Sequence, residues 1–202
     1  MNKGQVFIIS GPSGSGKDTL LVELFKACPE LKFSISSITR DMREGEVEGA
    51  KYNFISQDAF KKMIVENELL EYNCYVGNYY GTPKAPVEKA VNDGFDIIIE
   101  VDVNGAAQIR EKLKNAISIF IMPPSFAELE RRLVGRGTEA KELIEKRMKS
   151  ALGEIKRANE YDYIVVNGEI DTAVQDIISI IRSCKLNFKN QKNIIDEVLE
   201  KC

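Results

Sequence analysis

The chain has 202 residues, 44% hydrophobic and 29% charged, which is the length of one domain and the composition of a globular protein. Its 28 Lys and Arg against 31 Asp and Glu give a formal charge of −3, which argues against a protein that coats nucleic acid or an anionic membrane. It has no histidine and no tryptophan, so Ser-His-Asp and Cys-His catalysis, HExxH zinc sites and every His-based proton transfer are excluded.

Val6 to Ser10 opens the chain with a β-rich apolar run. Gly11-Pro12-Ser13-Gly14-Ser15-Gly16-Lys17-Asp18-Thr19 follows, and Asp18 to Cys28 then carries Leu20, Leu21, Leu24 and Phe25 at helical spacing. Residues 34–82 are rich in Tyr, Gly and Ser: short strand-like pieces at Tyr52 to Ile55, Leu70 to Val76 and Asn78 to Thr82 bracket a helix from Gln57 to Asn67, a small mixed insertion. A helical pattern from Ala85 to Asp93 ends at Gly94, a plausible C′ glycine. Phe95 to Val101 is the second apolar run, Gly105 to Asn115 is helical, and Ile117 to Met122 is the third run. Residues 125–158 are charged and helical, broken by Gly135-Arg136-Gly137, as a mobile helical flap would be. Tyr161 to Val166 is the fourth run, and Asp171 is placed to cap a helix bearing Val174, Ile177, Ile178 and Ile181. Continuous rather than alternating apolar runs predict strands buried on both faces of a parallel sheet, and their alternation with helices predicts an α/β doubly wound fold.

Cys28, Cys74, Cys184 and Cys202 form no CxxC motif, and four widely spaced thiols suit a reducing cytosol, so the expected localisation is cytoplasmic. The N-terminal MNKGQVFIIS runs directly into a strand without a signal-peptide pattern, and no apolar run approaches the ~20 residues of a membrane-spanning helix. No nucleic-acid or membrane partner is expected.

The G-x-x-x-x-G-K spacing between strand and helix is the context a phosphate-binding P-loop requires. Its glycines let backbone N–H groups converge on phosphate oxygens, the helix N-terminus adds partial positive charge, and Lys17 reaches the β- and γ-phosphates. The position after the lysine, usually Ser or Thr, is Asp18. Its carboxylate is either a Mg²⁺ ligand, with Thr19 supplying a phosphate-facing hydroxyl, or simply a first-turn acid answering the helix dipole.

A second anion site is suggested by Ser34 to Glu46, dense in hydroxyls and guanidinium groups, followed by Gly49, Tyr52-Asn53-Phe54, Glu71 and Gly77-Asn78-Tyr79-Tyr80-Gly81-Thr82. The pattern SxSSxTR–x2–R–x–GE–x2–G–x2–YxF and then GNYYGT resembles the nucleoside monophosphate site of guanylate kinases, a resemblance that runs from Val6 to about Asn167. It implies that Arg40, Arg43, Tyr52 and Tyr80 bind the GMP phosphate with Glu46 in the same set, and that Ser36, Glu71, Thr82 and Asp102 hold guanine. The chemistry agrees: guanine N1–H and N2–H₂ suit a carboxylate, O6 suits a hydroxyl donor, and adenine would leave the carboxylate unpaired. In Ile97 to Gly105, the resemblance puts Glu100 toward Mg²⁺ and its water shell and Asp102 toward guanine. Asn104 stands where the family often has Gln.

Pro123-Pro124-Ser125, Glu128, Arg132, Arg136-Gly137-Thr138 and Arg147-Met148 are similar to the guanylate kinase lid, which implies that Arg136 and Arg147 close on the transferring phosphoryl group beside Arg132, with Asn167 near the ATP base. Lys17, Arg40, Arg136 and Arg147 are therefore the expected catalytic set; Gly11, Pro12, Ser13, Gly14, Ser15, Gly16, Lys17, Asp18, Thr19, Arg132, Arg136 and Asn167 the ATP site; Asp18 and Glu100 the metal ligands. The implied architecture is a P-loop NTPase core (residues 1–33, 83–124 and 159–202), a GMP-binding insertion (34–82) and a lid (125–158). Two other readings stand beside this one. A guanylate-kinase-like scaffold module would lack turnover, but this chain keeps Gly16-Lys17 and the lid arginines. A ribose bisphosphate phosphokinase shares the GPSGSGKD loop but not the guanine-binding set.

Overall fold

The computed structural model describes residues 3–135 and 141–200. The elements run β1 (Val6–Ser10), α1 (Lys17–Ala27), β2 (Lys32–Phe33), β3 (Ser36–Ile38), β4 (Tyr52–Phe54), α2 (Gln57–Val65), β5 (Leu69–Tyr75), β6 (Asn78–Pro83), α3 (Lys84–Asn92), β7 (Ile97–Glu100) and α4 (Val103–Lys112). They continue with β8 (Ile117–Met122), α5 (Phe126–Val134), α6 (Lys141–Lys156), β9 (Tyr163–Val166), α7 (Ile170–Leu186) and α8 (Lys192–Leu199). Arg136, Gly137 and Thr138 lie outside the described residues.

Five strands form a sheet in the order β2-β7-β1-β8-β9, every pair parallel. The run VFIIS is apolar throughout because β1 is central and buried on both faces. Phe7 and Ile9 pack with Leu20, Leu24, Ile177 and Ile181 of α1 and α7. Val6 and Ile8 turn the other way, onto Val87 of α3 and Ala106 and Ile109 of α4. A second sheet, β4-β3-β6-β5, is mixed: β3 pairs parallel with β4, and β6 pairs antiparallel with β3 and β5. The α/β class with a parallel sheet between helix layers is as the sequence predicts.

Several boundaries differ from the sequence reading, each for a local reason. The second apolar run forms its strand, β7, from Ile97 and not Phe95, because the Phe95 N–H closes the α3 terminus on Ala90 O at 2.9 Å and the Asp96 carboxylate accepts the Gln5 N–H at 2.9 Å. The last strand begins at Tyr163, not Tyr161, because the Asp162 carboxylate turns in to accept both the N–H and the hydroxyl of Ser118 at 2.7 Å. β9 is also an edge strand, with Tyr163, Ile164 and Val166 exposed, so burial on both faces does not hold there. α7 starts at Ile170 with Glu169 at the cap, and Asp171 lies in its first turn. β2 and β3, of two and three residues, are too short for any periodicity to reveal. Gly94 follows the α3 cap with φ +87°, the left-handed C′ residue expected. No helix among the described residues is long and apolar enough to cross a membrane.

Parallel strands leave their carboxyl ends at one edge, where open α/β sheets bind ligands. The loops after β1, β7 and β9 all emerge there. Ile8→Ala, at a fully buried central position, should cost about 2–5 kcal/mol of stability. Ile164→Ala on the exposed edge should cost about 1 kcal/mol or less; urea unfolding midpoints check both.

Candidate active site

The segment from Gly11 to Gly16 joins β1 to α1. Gly16 caps α1 with φ +86°, and a Cβ there would lie 2.5 Å from Asn167 Nδ2, so both backbone and space demand glycine. The Lys17 ammonium folds back onto its own loop, donating to Gly11 O at 2.6 Å and Pro12 O at 3.2 Å. Burial pushes its pKa down, against the attraction of Glu100, Glu154 and Asp18. One loop carbonyl, Ser15 O, gathers two side chains: Asn167 Nδ2 donates to it at 2.8 Å and Arg132 Nη1 at 3.2 Å. Arg132 also donates to Asn167 O at 3.0 Å and to Glu128 Oε1 at 2.8 Å. Arg147 of α6 donates to Ser13 Oγ at 2.6 Å, which ties the charged helical segment to the phosphate loop. A cavity of about 730 Å³ opens beside these residues, lined by Gly14, Gly16, Thr19, Arg132, Asn167 and Ile170 among others.

A second cleft of about 540 Å³ runs from the loop to the smaller sheet. Gly11, Ser13 and Lys17 line one end; Ser36, Tyr52, Glu71, Tyr80 and Asp102 line the rest, with Glu100 between. Arg40 forms a two-point pair with Glu46, at 2.7 and 2.6 Å, and lies over the rings of Tyr52 and Phe54. The Arg43 N–H also donates to Glu46, at 2.8 Å. Glu46 is thus the acid that aims Arg40, and these contacts hold its pKa down at about 2. The Arg43 side chain is exposed on the turn.

Glu71 is 5% exposed, and Thr82 Oγ1 donates to its Oε1 at 2.7 Å. Burial raises its pKa to about 7; the Thr82 hydrogen bond opposes this and the Asp102 charge adds to it. Asp102 caps α4, accepting the N–H groups of Asn104 and Gly105 at 2.9 and 2.8 Å, while its other oxygen accepts from Asn73 Nδ2 at 3.3 Å. Asn104 is occupied elsewhere, accepting from Arg157 Nη1 at 2.7 Å. Asp18 and Glu100 both meet the ammonium of Lys51, Glu100 Oε2 at 2.9 Å. Burial works to lower the Lys51 pKa, but the Glu100 charge and the Asp18 hydrogen bond outweigh it and hold it raised.

A cleft with a phosphate loop at one end, an aimed arginine at its side and two carboxylates at the other can receive two phosphorylated molecules and recognise a base bearing adjacent N–H donors. The family model for guanylate kinase matches residues 3–184. The chain belongs to the guanylate kinase family. It is 42% identical over 197 residues to a guanylate kinase of Desulfitobacterium hafniense, covering 98% of each chain. It is 43% identical over 203 residues to one of Escherichia coli K12, covering 100% of this chain and 98% of the relative. A crystal structure of guanylate kinase from Anaplasma phagocytophilum superposes with a TM-score of 0.77 at 30% identity, covering 94% of this chain and 90% of the other. The P-loop fold and the kinase class follow for this chain.

Within this family member, Lys51, Asn73 and Glu154 also line the cleft and are absent from the sequence reading, and Gly105 packs behind it. Asn73 and Gly105 act on the paired acids: a Cβ at position 105 would lie 2.8 Å from Glu71 Oε2. Glu154 and Lys51 come from distant segments, and nothing local in the sequence marks them. The α4 cap carried one available signal, an Asp followed three residues later by Gly.

Glu71 weakens the fold at neutral pH. Between about 4.5 and about 7 the folded state holds a proton that the unfolded state releases, so its contribution to stability falls as pH rises through that window. Glu71→Gln should therefore stabilise the free protein at pH 8, by an amount on the order of 2–3 kcal/mol, and flatten the loss of melting temperature between pH 5 and 8. Thermal unfolding across that range checks it.

Proposed function

We propose that this enzyme transfers the γ-phosphoryl group of ATP to GMP, giving ADP and GDP, and that it works in the cytoplasm. The observation that carries GMP as acceptor is the Glu71 carboxylate, buried and held by Thr82 beside Asp102 at the far end of a cleft that starts at Lys17. Two acids within one pocket suit the N1–H and N2–H₂ donors of guanine; adenine presents no matching pair. Free thiols at Cys28, Cys74 and Cys184 agree with a reducing compartment.

In this reading the loop from Gly11 to Gly16, with Lys17, cradles the ATP phosphates, and Thr19, Arg132 and Asn167 line the space for the nucleoside. Arg40, aimed by Glu46, and Tyr52 and Tyr80 receive the GMP phosphate; Arg43 reaches it from the rim. Ser36, Glu71, Thr82 and Asp102 take the base. Arg147, already on Ser13, faces the transferring group, and Arg136 joins it. Residues 34–82 form the acceptor unit and 125–158 the lid. Phosphoryl transfer asks for positioning and charge stabilisation, and the acceptor phosphate, with a second pKa of about 6, is mostly dianionic at neutral pH. No general base is required, in keeping with a chain that has no histidine. Lid closure excludes water and so protects ATP from hydrolysis.

The donor set also suits Mg²⁺. Asp18 and Glu100 converge on one cationic group, Lys51, and among the described residues no cluster of three potential ligands exists. Two hard carboxylates that leave room for water and phosphate oxygens are what Mg²⁺ takes. When bound, it neutralises charge on the β- and γ-phosphates.

Lys17→Ala and Arg147→Ala should each lower kcat by 10²-fold or more, on the order of 3 kcal/mol of transition-state stabilisation. Steady-state rates with GMP, AMP, dTMP and ribose 1,5-bisphosphate measured side by side decide the acceptor; turnover with any of the last three above that with GMP overturns the reading. Because Glu71 must be ionised to accept from guanine, GMP binding should weaken about tenfold from pH 8 to pH 6. Titration calorimetry against Glu71→Gln, whose residual binding should keep only the roughly twofold change from the phosphate's own ionisation near pH 6, checks it.

A further inference from the structure

Lys51 lines the cleft, and the proposed reaction gives it no task. It stands immediately before β4, in the segment that carries Tyr52, yet its side chain crosses the cleft to the core. There its ammonium donates to Asp18 Oδ1 and lies 2.9 Å from Glu100 Oε2. Asp18 comes from the first turn of α1 and Glu100 from the end of β7. The two carboxylates thus belong to the core, and the cation between them belongs to the other sheet's unit.

Two like charges need compensation where they converge, and here a side chain provides it. Glu100 is the more enclosed partner, its side chain 13% exposed against 67% for Asp18. The ammonium, hydrogen-bonded to Asp18 and 2.9 Å from Glu100 Oε2, an atom otherwise without a hydrogen-bond partner, stands where a cation ligand would sit. A divalent ion and that ammonium cannot share the position: at about 4 Å their repulsion amounts to several kcal/mol in a partly buried site.

We propose that Lys51 is the resident counter-ion of the metal pocket and a positioning residue for its loading. It holds Asp18 and Glu100 together in the nucleotide-free protein and gives them up when the metal enters with its nucleotide. This rests on the reading of Asp18 and Glu100 as the Mg²⁺ ligands. Two consequences follow. The free protein is a poor binder of divalent cations, so the metal arrives with a phosphate ligand that helps displace the lysine. Release of Lys51 also unties the start of β4, so donor loading is felt at Tyr52 on the acceptor side.

The test is Mn²⁺ binding to the nucleotide-free full chain, read from the free-ion signal in electron paramagnetic resonance. Lys51→Met and Lys51→Gln should each bind Mn²⁺ at least about tenfold more tightly than wild type. Lys51→Arg, which keeps the charge, should stay weak. Lys26→Met, which removes a cation paired with Glu23 on the same helix as Asp18, should change little. Adding Asp18→Asn to Lys51→Met should abolish the gain. A purely structural lysine predicts the opposite sign, since loosening the acids would weaken the site. The same isotherms on ADP-saturated protein separate the two ideas. If neither Lys51→Met nor Lys51→Gln binds Mn²⁺ more tightly, while Asp18→Asn and Glu100→Gln still lose Mn²⁺ in the ADP complex, the Lys51 proposal is overturned and the metal reading stands. If the carboxylate variants hold Mn²⁺ as wild type does, both are overturned.

Discussion

The rest of the molecule depends on β1 being apolar on both faces. A strand that buries Val6 and Ile8 on one side and Phe7 and Ile9 on the other must lie at the centre of a sheet covered by helices on both sides. Its parallel neighbours β7 and β8 follow from that, because each must reach the same edge by a crossover helix. The phosphate loop, Glu100 and Asp102 then leave the sheet at one edge without further specification. Ser15 O fastens this edge on the β9 side, drawing Asn167 and Arg132 onto the loop.

Once assembled, that edge collects cations, and the structure gives five of them partners. Arg40 is paired with Glu46, Arg132 with Glu128, Lys51 with Asp18 and Glu100, Arg147 with a serine hydroxyl, and Lys17 with two carbonyls. The pairs fall into two kinds. Glu46 holds Arg40 at two points, and its other contact, to the Arg43 N–H, stays within the same turn. Lys17 and Lys51 hold partners that a phosphate or a metal ion would displace. The first kind fixes geometry in advance, and the second would exchange contacts on binding. Such exchange keeps the free site from carrying unpaired buried charge, at the cost of part of the gross binding energy.

Local sequence made some of this legible and left the rest hidden for physical reasons. The loop from Gly11 to Lys17 is legible because all its parts lie within one turn between a strand and a helix. Glu71 and Thr82 are legible only through resemblance, since their hydrogen bond crosses two strands whose register includes a shift between Leu69 and Glu71. The edge character of β9 is invisible in YIVV, which reads like any buried run. Asp171 offers a good cap by type, yet the chain turns at Glu169 without using a side chain. The functional division at Arg40 and Glu46 is also beyond sequence, because one acid within reach of an arginine and a ligand phosphate can serve either. Lys51 has no motif at all: its role arises from three segments meeting.

Asp18 and Lys51 are best understood together. Replacing the usual hydroxyl after the P-loop lysine with a carboxylate adds a negative charge where two anionic nucleotides are to be brought together. Left alone, that charge would oppose their binding by up to about 4 kcal/mol at contact distance, while offering a stronger ligand for a divalent ion. Lys51 neutralises that carboxylate in the nucleotide-free protein, and on the proposal above it would move aside to leave the acid to a divalent ion that itself offsets the charge. The formal charge of −3 hides this local balance. The same holds for the arginines: six of the nine fall in the segments proposed to bind or close over phosphate, whereas most lysines lie elsewhere. In a chain whose acids outnumber its bases, phosphate recognition is decided by which few cations share the one edge of the sheet and which carboxylates hold them until a ligand arrives.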